Sequence, residues 1–107
     1  MKRLLLVVLL FAAQTPAPRV VEIAAKRFEF TPATITLQRG EPVTIRLTAA
    51  DHSHGLFLKE LHVDLDAAPG APDEVTITPQ TAGTFTAICD DYCGSGHGNM
   101  KLTVVVN

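Results

Sequence analysis

Twelve consecutive residues, Cys89-Asp90-Asp91-Tyr92-Cys93-Gly94-Ser95-Gly96-His97-Gly98-Asn99-Met100, hold both cysteines, one of the four histidines and the only methionine after residue 1. The spacing is C-x-x-x-C-x-x-x-H-x-x-M. Thiolate, imidazole and thioether are soft donors, and together they select copper over magnesium, calcium or manganese. Gly94, Gly96 and Gly98 let such a segment wrap closely around a small ion. A loop of this kind needs a donor from elsewhere in the chain to close the site. Asp51-His52-Ser53-His54-Gly55 offers two candidates, His52 and His54.

Simpler readings compete with this one. Cys89 and Cys93 alone would read as a disulfide in an oxidising compartment. A zinc site of two cysteines and two histidines would leave the methionine without a use. Met100 by itself would read as core, and His52 and His62 as solvated side chains. The close spacing of all four donors favours a metal loop over each of these.

The elements that must position the donors are strands. Val43, Ile45 and Leu47 alternate with Thr44, Arg46 and Thr48, Ile35 and Leu37 with Thr36 and Gln38, and Val75 and Ile77 with Thr76 and Thr78. Phe28 and Phe30 flank Glu29. Period-two alternation of this composition means half-buried strands. Turn signals punctuate it at Thr31-Pro32, Arg39-Gly40, the 68–72 segment and Thr81-Ala82-Gly83. The expected strands lie near 20–30, 34–38, 42–49, 55–58, 74–79, 83–89 and 101–106. About seven short strands predict an all-β, antiparallel Greek-key sandwich. Loops at one end of a sandwich converge, so the loop after 42–49 meets the loop after 83–89 at one pole.

The 107 residues are 47% hydrophobic and 19% charged, with a net charge of −2. That composition fits one packed domain and excludes a disordered charged tail. It offers no basic patch for phosphates and, with no Trp and one Tyr, little for stacking bases, so no nucleic-acid partner is expected. Lys2 and Arg3 precede ten apolar residues, 4–13. As a helix those ten span about 15 Å, half of a bilayer core. Residues 1–18 are therefore expected to be a signal peptide, with 19–107 the exported domain and no membrane span in the mature chain. No serine–histidine–aspartate or paired-carboxylate arrangement is apparent, and no enzyme activity is expected of the domain alone.

The donor loop and the run Asp51-His52-Ser53-His54-Gly55-Leu56-Phe57 together resemble the CuA domain of cytochrome c oxidase subunit II, and the similar domain of nitrous oxide reductase. Segment 60–70 is similar to the stretch that follows in the oxidase subunit. The likeness covers residues 23–106, and it implies a cupredoxin sandwich with a dinuclear, mixed-valence copper centre. On that mapping Cys89 and Cys93 are the bridging thiolates, and His54 and His97 the terminal imidazoles. Met100 is the weak axial thioether on the copper of His54, and Asp91 offers its backbone carbonyl to the other copper. The choice of His54 over His52 rests on this likeness. Two features differ from the oxidase subunit: it has two membrane helices before this domain, where only a signal-like segment is expected here, and without Trp the aromatic cluster for electron entry from cytochrome c is absent.

The resemblance implies an electron carrier with two copper ions, located in the periplasm or on the outer face of the cytoplasmic membrane. Its partner would be a redox protein such as cytochrome c or an oxidase subunit. A protein that delivers or buffers copper for an oxidase would use the same donors.

Overall fold

Two sheets face each other across a single apolar layer in the computed structural model, which describes residues 17–90 and 100–107. The strands in chain order are β1 (Arg19–Lys26), β2 (Glu29–Thr31), β3 (Thr34–Leu37), β4 (Val43–Ala49), β5 (His54–Leu58), β6 (Val63–Ala67), β7 (Asp73–Ile77), β8 (Gly83–Ile88) and β9 (Lys101–Val106). One 3-10 turn, Lys59–Leu61, joins β5 to β6. The first sheet runs β2-β1-β4-β7 and the second β3-β9-β8-β5-β6.

The alternation read in the sequence decides which side chains form the core. Val43, Ile45 and Leu47 of β4 point inward from the first sheet, and Leu102, Val104 and Val106 of β9 from the second. Ile23 and Phe30 add to the first side, and Leu37, Leu56 and Leu65 to the second, all within 2% of full burial. Burying a side chain of this size contributes roughly 1.5–3 kcal/mol. The sandwich architecture is as expected from the alternation.

Three details differ from the expectation. The stretch 20–30 is two strands, because the chain reverses at Arg27 and Phe28 and β2 folds back antiparallel on β1. Residues 63–67 form an additional strand, with Val63, Leu65 and Ala67 inward and Asp64 and Asp66 outward. The described strands therefore number nine. The sheets are also mixed rather than purely antiparallel: β1 pairs parallel with β4, and β3 parallel with β9. Parallel pairing arises because the chain crosses between sheets at Pro32 and again before β4, so strands that are neighbours in space are not consecutive in sequence.

Candidate metal centre

The second sheet places β9, β8 and β5 side by side, with β8 antiparallel to both neighbours. The start of β5, the end of β8 and the start of β9 therefore lie at the same pole. Each of these three ends carries a donor on the core-facing side. His54 is the first residue of β5, Cys89 follows the last residue of β8, and Met100 precedes the first residue of β9. Their burial follows from period two: Cys89 continues the inward row of Ala87, Met100 that of Leu102 and Val104, and His54 that of Leu56 and Leu58. His54 and Met100 have no exposed surface, Cys89 has 1%, and His54 is the only buried polar side chain among the described residues.

The ends of the donor loop are tied together. The Cys89 N–H donates to the Met100 carbonyl at 3.3 Å, one step beyond the Ile88–Lys101 pair of the ladder. Gly55 lies against the first residue of that loop, and a Cβ there would run into the Asp90 carboxylate. A larger residue at 55 would require the Asp90 side chain to move aside.

A hydrogen-bond relay orients His54. Its Nε2 lies 2.6 Å from Asp51 Oδ1, and its Nδ1 lies 3.9 Å from Cys89 Sγ. A carboxylate only accepts, so Nε2 carries the proton, and in the neutral ring Nδ1 then turns its lone pair toward the cysteine. A carboxylate behind a ligand imidazole is a recurrent device for fixing ring orientation and raising donor strength. Asp51 is itself held by the backbone N–H of Arg27 at 2.8 Å and that of His52 at 2.9 Å. The Arg27 N–H above all, with His54 and His52, keeps the Asp51 carboxyl well below the usual carboxylate range, against the opposing effect of desolvation.

His52 is not simply solvated. It is half-buried, its Nε2 accepts from Arg27 Nε at 2.8 Å, and its Nδ1 meets the Ser53 carbonyl at 2.8 Å. Its ring packs on that of His54 with centroids 4.4 Å apart. His62 is exposed and ends the 3-10 turn with a φ of 59°.

Of the site residues read from the sequence, the fold brings His54, Cys89 and Met100 together. Asp91, Cys93 and His97 lie outside the described residues, as does segment 1–16 of the expected signal peptide. The donors in view fit copper: imidazole, thiol and thioether are buried together, and the imidazole presents a bare nitrogen. A gap of 3.9 Å between nitrogen and sulfur is long for a hydrogen bond, but it suits two donors of one metal ion with bonds of about 2.0–2.3 Å. Sequence reasoning missed the part played by Asp51 and Arg27. The Asp51–His54 spacing of three residues was a usable signal; Arg27, next to Lys26, reads as ordinary surface charge.

Residues 2–106 match the family model described as a cupredoxin-like domain, and the chain belongs to that family. Within it, the chain is similar to the cytochrome c oxidase subunit 2 of Thermus thermophilus, with 31% identity over 91 residues, which covers 85% of this chain and 67% of that one. Against a second subunit 2 from the same species the identity is again 31%, and the chain spans 54% of its length. Among solved structures, the periplasmic domain of cytochrome oxidase subunit II of Bradyrhizobium japonicum aligns with a TM-score of 0.76, covering 83% of both chains at 18% identity. Auracyanin A, a blue copper protein of Chloroflexus aurantiacus, aligns with a TM-score of 0.66 at 21% identity, covering 85% of this chain and all of that one. At such identities the structural likenesses speak for the fold. Among the described residues, no helix is long and apolar enough to cross a membrane.

Proposed function

We propose that the chain is a copper-binding electron-transfer domain with a dinuclear CuA-type centre, similar in role to the domain of cytochrome c oxidase subunit 2. The observation that carries this reading is the convergence of three buried soft donors, His54, Cys89 and Met100, on one pole, with Nδ1 of His54 aimed at Cys89. The spacing of the remaining donors supports it: a second cysteine four residues on is more than one copper needs. In this reading the thiolates of Cys89 and Cys93, the imidazoles of His54 and His97, the thioether of Met100 and the backbone carbonyl of Asp91 would hold the two ions. Bound copper would supply a one-electron couple.

The chain's own residues do the positioning. Asp51 holds the proton of His54 on Nε2 and keeps Nδ1 bare. The ladder of β8 and β9 fixes Cys89 and Met100 relative to each other before any ion arrives. Burial of all three side chains excludes water from their side of the site. Because the frame is a packed sandwich, little of it needs to move when the charge on the site changes, and small reorganisation favours fast transfer. The domain is no enzyme by itself. It exchanges electrons with a partner such as cytochrome c or an oxidase subunit, in the periplasm or on the outer face of the cytoplasmic membrane, after residues 1–18 are removed.

The test is copper loading followed by metal counting and electron paramagnetic resonance. The expected result is about two coppers per chain and a signal split equally by both nuclei. Saturation at one copper, with splitting by a single nucleus, would leave an ordinary mononuclear cupredoxin. Rapid loss of copper to a chelator would instead favour copper delivery over electron transfer.

A further inference from the structure

The solvent face of the second sheet carries an apolar side chain where threonine is the rule. The outward positions of β8 are Thr84, Thr86 and Ile88, all exposed, and Ile88 keeps 44% of its surface open. The ladder sets Ile88 in a row across four strands. It pairs with Phe57 of β5 on one side and Lys101 of β9 on the other, and Phe57 pairs in turn with Asp64 of β6. Phe57 is half-buried, and Asp64 and Lys101 are exposed. At about 4.8 Å per strand, Asp64 and Lys101 stand roughly 14 Å apart with the two apolar side chains between them. One step closer to the donor pole, Asp66 pairs with Gly55, and the exposed Asp90 carboxylate lies against Gly55. The row is therefore acidic at its β6 end and basic at its β9 end. An aromatic–aliphatic cross-strand pair accounts for the packing of Phe57. It does not account for an isoleucine left nearly half open, one peptide link before Cys89.

We infer that the row of Asp64, Phe57, Ile88 and Lys101 is a docking face for a redox protein that presents an apolar patch with basic side chains on the flank meeting β6. The inference rests on the electron-transfer reading above for the class of partner, but its test requires no copper. An apolar centre within a charged rim is the anatomy of a protein interface. The buried centre sets the strength of binding, and the rim charges set approach and orientation. Opposite charges at the two ends of the row fix one orientation: a basic flank over β9 would meet Lys101. Val20 and Phe28, the other large apolar side chains exposed among the described residues, belong to β1 and to the β1–β2 reversal, away from this face.

The experiment titrates reduced cytochrome c, a basic redox protein, into the isotope-labelled, full, metal-free chain and follows its amide resonances at low and high salt. Shifts should centre on Phe57, Asp64, Ile88 and Lys101 and weaken as salt screens the rim. Ile88→Ser should weaken binding about tenfold at either salt, as loss of a central apolar contact does. Asp64→Lys should weaken it at low salt only, and Lys101→Glu should tighten it there, because a rim charge acts through screened attraction. All three positions are exposed, and unchanged resonances of β1 and β4 verify that each variant is folded. No binding at low salt, shifts confined to another face, Ile88→Ser that binds like the wild type, or Lys101→Glu that binds more weakly would each overturn the inference. Loss in Asp64→Lys without loss in Ile88→Ser would mark mere attraction between opposite net charges, and overturns it as well. A chain that binds no copper would overturn the functional reading alone, because the docking face is read without the metal.

Discussion

The two sheets bear on the candidate site in different ways. The inward residues of the first sheet are apolar throughout the described chain: Ile23, Ala25, Phe30, Val43, Ile45, Leu47 and Ile77. The second sheet has an equally apolar interior but ends, at one pole, in His54, Cys89 and Met100. The first sheet nevertheless reaches the site from outside, through Arg27 at the β1–β2 reversal and Asp51 just beyond β4. In the proposed centre one sheet supplies donors and the other supplies their support. Donors must sit in a dry, packed place, whereas a supporting charge needs only to reach one.

The largest expected effect breaks the donor side. Cys89→Ser should abolish the paired-copper spectrum, because in the proposed centre that thiolate is shared by both ions; a resonance still split by two equivalent nuclei would show that the donors are elsewhere. On the other sheet, Ile45→Ala removes a mid-strand core side chain and should cost about 2–5 kcal/mol in denaturant unfolding. The same variant should keep its copper number while folded, and loss of copper there would erase the distinction between the sheets. Gly55→Ala pushes a methyl group against the exposed Asp90 carboxylate, which can swing away, and should cost less than about 1 kcal/mol. It should also alter the copper spectrum, since Asp90 begins the donor loop. Met100→Leu is close to volume-conserving and should change stability by less than about 1.5 kcal/mol. It should keep both ions and shift the reduction potential, measured by voltammetry, because an axial thioether is a weak ligand that tunes rather than holds.

Much of this was legible in the residues. Alternation in 34–37, 43–49 and 101–106 marked strands and their buried faces, because one buried face imposes period two wherever it occurs. The same pattern carries no direction, so the parallel pairing of β1 with β4 was not readable. Strand β6 alternates as cleanly as the others, but its outward residues are Asp64 and Asp66, which are poor strand formers. The break at Arg27 and Phe28 went unseen because Phe28 and Phe30 continue the apolar alternation while Phe28 itself is 39% exposed. At the site, the donor types announced themselves by spacing. The support did not: Arg27 is 25 residues from His52, and only the β1–β4 pairing brings the two together.

The hydrogen bond from Cys89 to Met100 bears on how metal is taken up. Ten residues separate the two. Bringing the ends of a free segment of that length together costs about 2 kcal/mol of closure entropy. Here the hairpin ladder has already met that cost during folding, and it holds two of the donors at the mouth of the segment. In the proposed centre, copper exchange would then leave the β8–β9 ladder and the apolar layer behind it closed.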